Sequence, residues 1–256
     1  MIILYVLLGI IGCLLLLFLL YVIFLGICSL FVDPKKEYTH NSRFYRMLLY
    51  SATAGTLKLL RIKVHTTGLE KLPKGQRLLF VGNHRSNFDP IIQWQILRPW
   101  EVAFVSKEAN FHIPFFGRFI RKCCFLAIDR EDPRKAILTL HKASELIKSK
   151  EVSVGIYPEG TRSKSGELLP FHDGVFRIAQ KADCPIAVMA VRGTEQIHKN
   201  VIRRKTDVYL DILRVIPAEE AKHLKTHVIS ADVRQLLSDE LSKQKEQPVS
   251  ENCLQA

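Results

Sequence analysis

The first 32 residues, Met1 to Val32, contain no charged side chain. As one helix rising 1.5 Å per residue, such a run reaches about 48 Å against a hydrocarbon core of about 30 Å, long enough to span with tilt. No Lys or Arg precedes it and it is too long for the apolar region of a signal peptide, so residues 1–32 are expected to form a retained membrane anchor. Hydropathy leaves open whether the run crosses once or turns back near Gly26 as two shorter helices. Basic residues follow at Lys35, Lys36, Arg43, Arg46, Lys58, Arg61 and Lys63, whereas none precedes. The positive-inside rule then places the body of the protein on the cytoplasmic side.

The 256 residues suffice for one further core, and the formal charge of +12 favours an anionic partner. Nucleic acid, a phospholipid surface and a phosphorylated substrate all fit that charge. The cysteines (Cys13, Cys28, Cys123, Cys124, Cys184, Cys253) lack the paired spacing of a zinc site and read as reduced, mostly buried side chains.

Residues 33–62 form a basic amphipathic segment. Within it Asn41 to Leu60 suits a helix lying among lipid headgroups, and suits equally a helix packed on the body. Residues 63–241 then alternate strand-like and helix-like runs. Strands are expected at Arg77 to Val81, Val102 to Val105, Phe125 to Ile128, Val152 to Tyr157, Ile186 to Val191 and Val208 to Leu213. Helices are expected at Pro90 to Leu97, Pro133 to Lys148 and Val175 to Lys181; Asp132 caps the second and Pro133 occupies its first position. The order implies an α/β domain whose mixed, largely parallel sheet is flanked by helices. Residues 242–256 read as a polar tail.

Two short stretches carry chemistry. In Asn83-His84-Arg85-Ser86-Asn87-Phe88-Asp89, an imidazole follows a strand and a carboxylate stands five positions later, before Pro90. A turn can fold Asp89 back onto His84, where it would fix the tautomer and stabilise the imidazolium. No Ser or Cys is placed to complete a triad, so the nucleophile is expected to be the substrate's own hydroxyl, with His84 as general base. The plain alternative makes Asp89 a helix cap. In Tyr157-Pro158-Glu159-Gly160-Thr161-Arg162-Ser163, a turn after a strand ends in a cation. There Arg162 can grip a phosphate through paired donors, Gly160 lets the backbone approach, and Glu159 organises the loop. Lys107, Arg118, Arg121 and Arg130 lie between the two stretches and are candidates for the same cleft.

These residues fall into a known pattern. Asn83, His84, Ser86 and Asp89, then Pro114, Gly117 and Ile128-Asp129-Arg130, then Pro158 to Ser163, then Gly166, Phe171, Gly174 and Pro185-Ile186-Ala187-Val188 resemble four ordered blocks. They are the blocks of the membrane-bound glycerolipid acyltransferases, and within them of the 1-acyl-sn-glycerol-3-phosphate acyltransferases. The resemblance runs from about Val64 to Val215. It implies transfer of an acyl group from acyl carrier protein or coenzyme A to the sn-2 hydroxyl of lysophosphatidic acid, in phospholipid biosynthesis at a membrane. It further implies His84 as base with Asp89 behind it, Lys107, Arg130 and Arg162 on the acceptor phosphate, and Glu159, Gly160 and Thr161 organising the loop. No metal, prosthetic group or nucleic acid is implied. The chain departs from the pattern at Met189, where a second proline is frequent, at Cys124, where glycine is common, and at His172-Asp173, where a more basic pair is usual. The catalytic block does not report the acceptor, so glycerol 3-phosphate or another lysophospholipid stands as an alternative. A noncatalytic anchored binder of anionic lipid or nucleic acid is the alternative of another class.

Overall fold

The computed structural model describes residues 1–202 and 205–246. Helix α1 (Ile2–Leu30) is continuous, so the chain does not turn back at Gly26. Its central window has a mean hydropathy of 3.1 and none of it is buried, which is the length and composition of a membrane-crossing helix. Only its last turns touch the body, through Tyr21, Gly26, Cys28 and Ser29.

Helix α2 (Arg43–Leu59) packs on the body, one of the two readings given for Asn41 to Leu60. Tyr45, Leu49, Tyr50 and Thr53 face inward while Phe44 and Met47 face out. Arg46, expected in the basic flank, is buried. Its guanidinium donates to Asn41, Tyr50 and the carbonyls of Val102 and Cys123, and it lies 4.5 Å over the Trp94 ring. A buried guanidinium needs such partners, and here they fasten α2 to the strands below.

The remaining elements alternate. They are β1 (Ile62–Thr67), β2 (Leu79–Gly82), α3 (Asp89–Ile96), β3 (Val102–Lys107), α4 (Phe116–Lys122), β4 (Leu126–Ile128), α5 (Pro133–Lys148), β5 (Ser153–Ile156), α6 (Arg177–Ala182), β6 (Ile186–Arg192), α7 (Ile197–Asn200), β7 (Thr206–Ile216), α8 (Ala218–His223) and α9 (Thr226–Glu246). Helix α9 carries on past residue 242, where the polar tail was expected to begin; residues 247–256 of that tail lie outside the described residues. Helix α5 starts where its sequence says: the Asp132 carboxylate accepts from the backbone N–H of Arg134 at 2.9 Å and of Lys135 at 3.3 Å, and Pro133 needs no partner.

The strands form one sheet in the order β1-β7-β6-β2-β5-β3-β4. From β6 to β4 all neighbours are parallel; β7 runs antiparallel to β6, and β1 runs parallel to β7. The central strands are apolar on both faces because both are covered. Leu79 and Val81 of β2 point into a core with α5, α6, α8 and α9, whereas Phe80 points into a second core with α2, α3 and α4. This layering carries the five parallel strands to a common edge, and every loop that follows them opens there.

Candidate active site

Strand β2 leaves the sheet toward α3 on one face, while its neighbour β5 leaves through residues 157–172 toward α6 on the other. Chains that part to opposite faces leave a crevice beyond the carboxyl ends of their strands. Into it project residues after β2 (His84), β5 (Tyr157, Thr161 and Arg162) and β4 (Arg130), with Lys107 at the end of β3.

The loop after β2 is fixed from both sides. The Asn83 side chain donates to the carbonyl of Val191 and accepts from its N–H, both at 2.8 Å, which ties the loop to β6. Asp89 opens α3 but does not cap it. Its Oδ2 accepts from His84 Nδ1 at 2.7 Å and from the N–H groups of Arg85 and Ser86 at 2.6 and 2.7 Å. Its Oδ1 accepts from the Thr194 hydroxyl, just beyond β6. The carboxylate is 0% exposed, and each of its oxygens has a protein donor. With Nδ1–H given to Asp89, the lone pair of the imidazole resides on Nε2.

Glu159 sits below this loop and organises it through backbone groups. Oε1 accepts from the His84 N–H at 2.7 Å and Oε2 from the Leu169 N–H at 2.9 Å. Burial pushes the Glu159 carboxyl above its ordinary range, against the pull of those two donors and of nearby His84 and Arg85. The Ser163 N–H returns to the His84 carbonyl at 2.9 Å, so the two motifs are hydrogen-bonded to each other. Gly160 turns between them at φ 66°, and the His172 ring lies 3.0 Å from where a Cβ would stand. Any other residue there would meet both the left-handed backbone and that ring.

His84, Lys107, Arg130, Thr161 and Arg162 line a single cavity of about 380 Å³. Its far wall is apolar, built from Leu49 of α2, Ile91 and Trp94 of α3, Phe104 of β3, Ile120 of α4 and Phe125. Among the described residues Lys107, Arg130 and Arg162 have no carboxylate partner, in contrast to Arg77, Arg85, Arg121 and Arg214. Burial without such a partner lowers the Arg130 pKa from its ordinary value. Among the described residues no three His, Cys, Asp or Glu side chains converge to hold a metal ion.

Arg118 and Arg121 do not reach the cavity. The first donates to the Ser29 carbonyl at the end of α1, and the second pairs with Glu108 across the Phe111 ring. Other residues shape the site without having been expected. Tyr157 stacks on the His84 imidazole with ring centres 4.1 Å apart and 6° between planes, and its hydroxyl donates to Gln93. Asn87 reaches the cavity wall, and Arg85 holds the 163–169 loop through the Gly166 carbonyl at 2.6 Å. Thr194 was discoverable by the rule that found His84, since it too lies just past a buried strand.

The Thr194 contact gives a stability prediction. Thr194→Val keeps the shape and leaves buried Asp89 Oδ1 without its donor, a loss of about 1–3 kcal/mol. A lower melting temperature in detergent is expected, with Thr194→Ser restored to near the parent; equal melting of all three would remove the hydroxyl from the network.

The acyltransferase family model matches residues 63–192, about half of the chain, a span that holds His84, Asp89, Lys107, Arg130, Glu159 and Arg162. Among curated relatives, the chloroplastic 1-acyl-sn-glycerol-3-phosphate acyltransferase of Brassica napus is 36% identical over 136 residues, covering 53% of this chain and 39% of the relative. The enzyme of the same name from Salmonella typhimurium is 29% identical over 167 residues, covering 64% and 67%. The chain thus spans between 39% and 67% of these two relatives' own lengths. The crystal structure of the 1-acyl-sn-glycerophosphate acyltransferase of Thermotoga maritima superposes with a TM-score of 0.67 over 90% of both chains at 22% identity, a likeness of fold.

Proposed function

The chain belongs to the acyltransferase family, and on that footing we propose that it transfers an acyl group from an acyl thioester to the sn-2 hydroxyl of lysophosphatidic acid, forming phosphatidic acid. The observation that carries this reading is the pairing of contents in one cavity. A His–Asp pair shares it with three cations that have no carboxylate partner among the described residues, and much of the remaining wall is apolar. A hydroxyl, a phosphate and an acyl chain on one molecule meet those three features in turn.

The chemistry follows from Nε2 of His84. The acceptor hydroxyl gives its proton to Nε2 as its oxygen attacks the thioester carbon; the C–O bond forms, the C–S bond breaks, and the proton passes to the departing thiolate. Asp89 holds the ring by Nδ1 and stabilises the imidazolium in between. Tyr157 and Gln93 keep the ring from turning. Lys107, Arg130 and Arg162 take the acceptor phosphate, Arg162 through its paired donors. The acyl chain lies along Leu49, Ile91, Trp94, Phe104 and Phe125. Withdrawing about 15 methylenes from lipid into water would cost roughly 12 kcal/mol at about 0.8 kcal/mol each, which an apolar wall beside a membrane helix avoids.

Acyl carrier protein and coenzyme A both present the required thioester. The body lies on the cytoplasmic side in this reading, supported by Lys35, Lys36 and Arg43 after an N-terminal flank without Lys or Arg. Purified protein incubated with each donor and with lysophosphatidic acid, glycerol 3-phosphate or lysophosphatidylcholine tests the assignment. Thiol release matched by phosphatidic acid is expected with lysophosphatidic acid alone. Equal use of glycerol 3-phosphate or of the choline lipid would overturn the acceptor, and no thiol release with any acceptor would leave a binder.

A further inference from the structure

Beyond α1 and the Met1 that precedes it, the most exposed large apolar side chains among the described residues are Ile202 at 85% and Leu59 at 79%. They come from distant parts of the sequence, and the structure joins them. Helix α2 ends at Leu59 and turns sharply into β1, with Arg61 at φ 53°. From that turn the Arg61 guanidinium donates to the carbonyls of Val201 and Ile202, at 3.2 and 2.8 Å, in the loop after α7. One cation therefore clamps Val201 and Ile202 beside the end of α2, with their side chains turned outward. Lys58 and Lys63 flank the Leu59–Arg61 turn in the chain, Lys199 and Lys205 flank Val201 and Ile202, and all four are exposed. Asp207, in the strand that follows this loop, is taken by His65 at 2.8 Å.

The direction of this knob is set by α1. Tyr45 donates to the Cys28 carbonyl at 3.0 Å, and Tyr21 meets Ser51 at 2.8 Å, so α1 and α2 run antiparallel. The carboxyl end of α2 therefore points the same way as the free, wholly exposed amino-terminal part of α1. Whatever bilayer receives α1 is approached by Leu59 and Ile202 as well.

We propose that Leu59, Val201 and Ile202 form a second lipid-contacting element, which inserts its apolar tips into the acyl boundary while Lys58, Lys63, Lys199 and Lys205 meet anionic headgroups. Apolar tips ringed by cations match the layering of an anionic bilayer surface. With α1 alone the body could swivel about one axis; a second contact at a different point fixes its orientation and sets the cavity mouth against the lipid. The proposal rests on α1 lying in a membrane, and its test separates the two.

Full-length protein carrying Ile202→Trp, Leu59→Trp or, as a marker of α1, Phe18→Trp is reconstituted into vesicles of phosphatidylcholine and phosphatidylglycerol, and its fluorescence is compared with that of the parent, which keeps Trp94 and Trp100. For all three variants the added emission is expected to shift to the blue, to be quenched by brominated lipid and to resist iodide. A lipid-quenched Phe18→Trp beside iodide-quenched Ile202→Trp and Leu59→Trp overturns the knob and leaves the membrane helix standing. A Phe18→Trp signal that no lipid quenches removes the membrane helix and the knob together. Blue-shifted knob emission that neither quencher reaches assigns the surface to a protein partner and also overturns the proposal.

Discussion

His84→Ala is expected to give a folded, membrane-associated protein whose thiol release with lysophosphatidic acid is about 100- to 10,000-fold slower, the usual range for losing a general base. The loop should survive the change, because its frame is made by other atoms. Asn83 holds β6, Glu159 binds the backbone N–H of residue 84, and Ser163 binds its carbonyl. Asp89→Asn should also lower turnover, and should disturb the structure more. Its carboxylate receives three N–H donors and a hydroxyl in full burial, so an amide nitrogen placed there would meet donors with a donor. Circular dichroism controls for folding while free thiol is counted. A well-folded His84→Ala protein with near-normal turnover would sink the mechanism and leave Asp89 as a structural anchor of its loop.

What the sequence disclosed and what it hid divide along a physical line. Buried parallel strands and capped helices announce themselves through local pattern, so β2, β3, β5, β6 and α5 appear where short apolar runs and the Asp132-Pro133 start placed them. Strand β1 lies at the sheet edge and was missed because its alternation is short: Ile62-Lys63-Val64-His65 alternates, and Thr66-Thr67 then ends the pattern. Helices α8 and α9 follow the last expected strand with mixed polarity and were not anticipated. Cys124 shows how a departure from a family pattern becomes legible only in three dimensions. Its backbone sits at φ 62°, a left-handed conformation in which glycine is the ordinary choice.

The candidate site was half legible for the same reason. His84, Asp89 and Arg162 follow strand ends and lie in compact motifs, but a side chain's direction is not encoded by its neighbours in sequence. Arg46, Arg118 and Arg121 look like free cations in the chain and prove to be tethered inside it. Lys107, Arg130 and Arg162 look the same and have no acidic partner among the described residues. Thr194 and Tyr157 complete the environment of His84 through contacts that span 105 residues in one case. Such long-range partners follow from sheet order, which no local pattern reports.

That distinction between tethered and free cations carries the second large effect. Arg162 ends the turn after β5 and shares the cavity with His84, so a phosphate bound there would acquire a bidentate partner that no protein carboxylate already occupies. Losing one member of a desolvated charge pair costs about 2–5 kcal/mol, or roughly 30- to 5,000-fold. Arg162 is exposed in the free protein, so solvent screens the pair and the lower part of that range applies. Arg162→Ala is therefore expected to raise the KM for lysophosphatidic acid at least about 30-fold while leaving slow thioester hydrolysis without acceptor unchanged. Arg162→Lys keeps the charge but not the fork, and should fall between the two. Arg130→Ala should act in the same direction, since an anion in the cavity would offset the burial that lowers its pKa. The measurement is the rate of thiol release against acceptor concentration for parent and variants. If Arg162→Ala depends on lysophosphatidic acid as the parent does, the guanidinium serves only the surface, and the acceptor phosphate must be held by Lys107 and Arg130 without it.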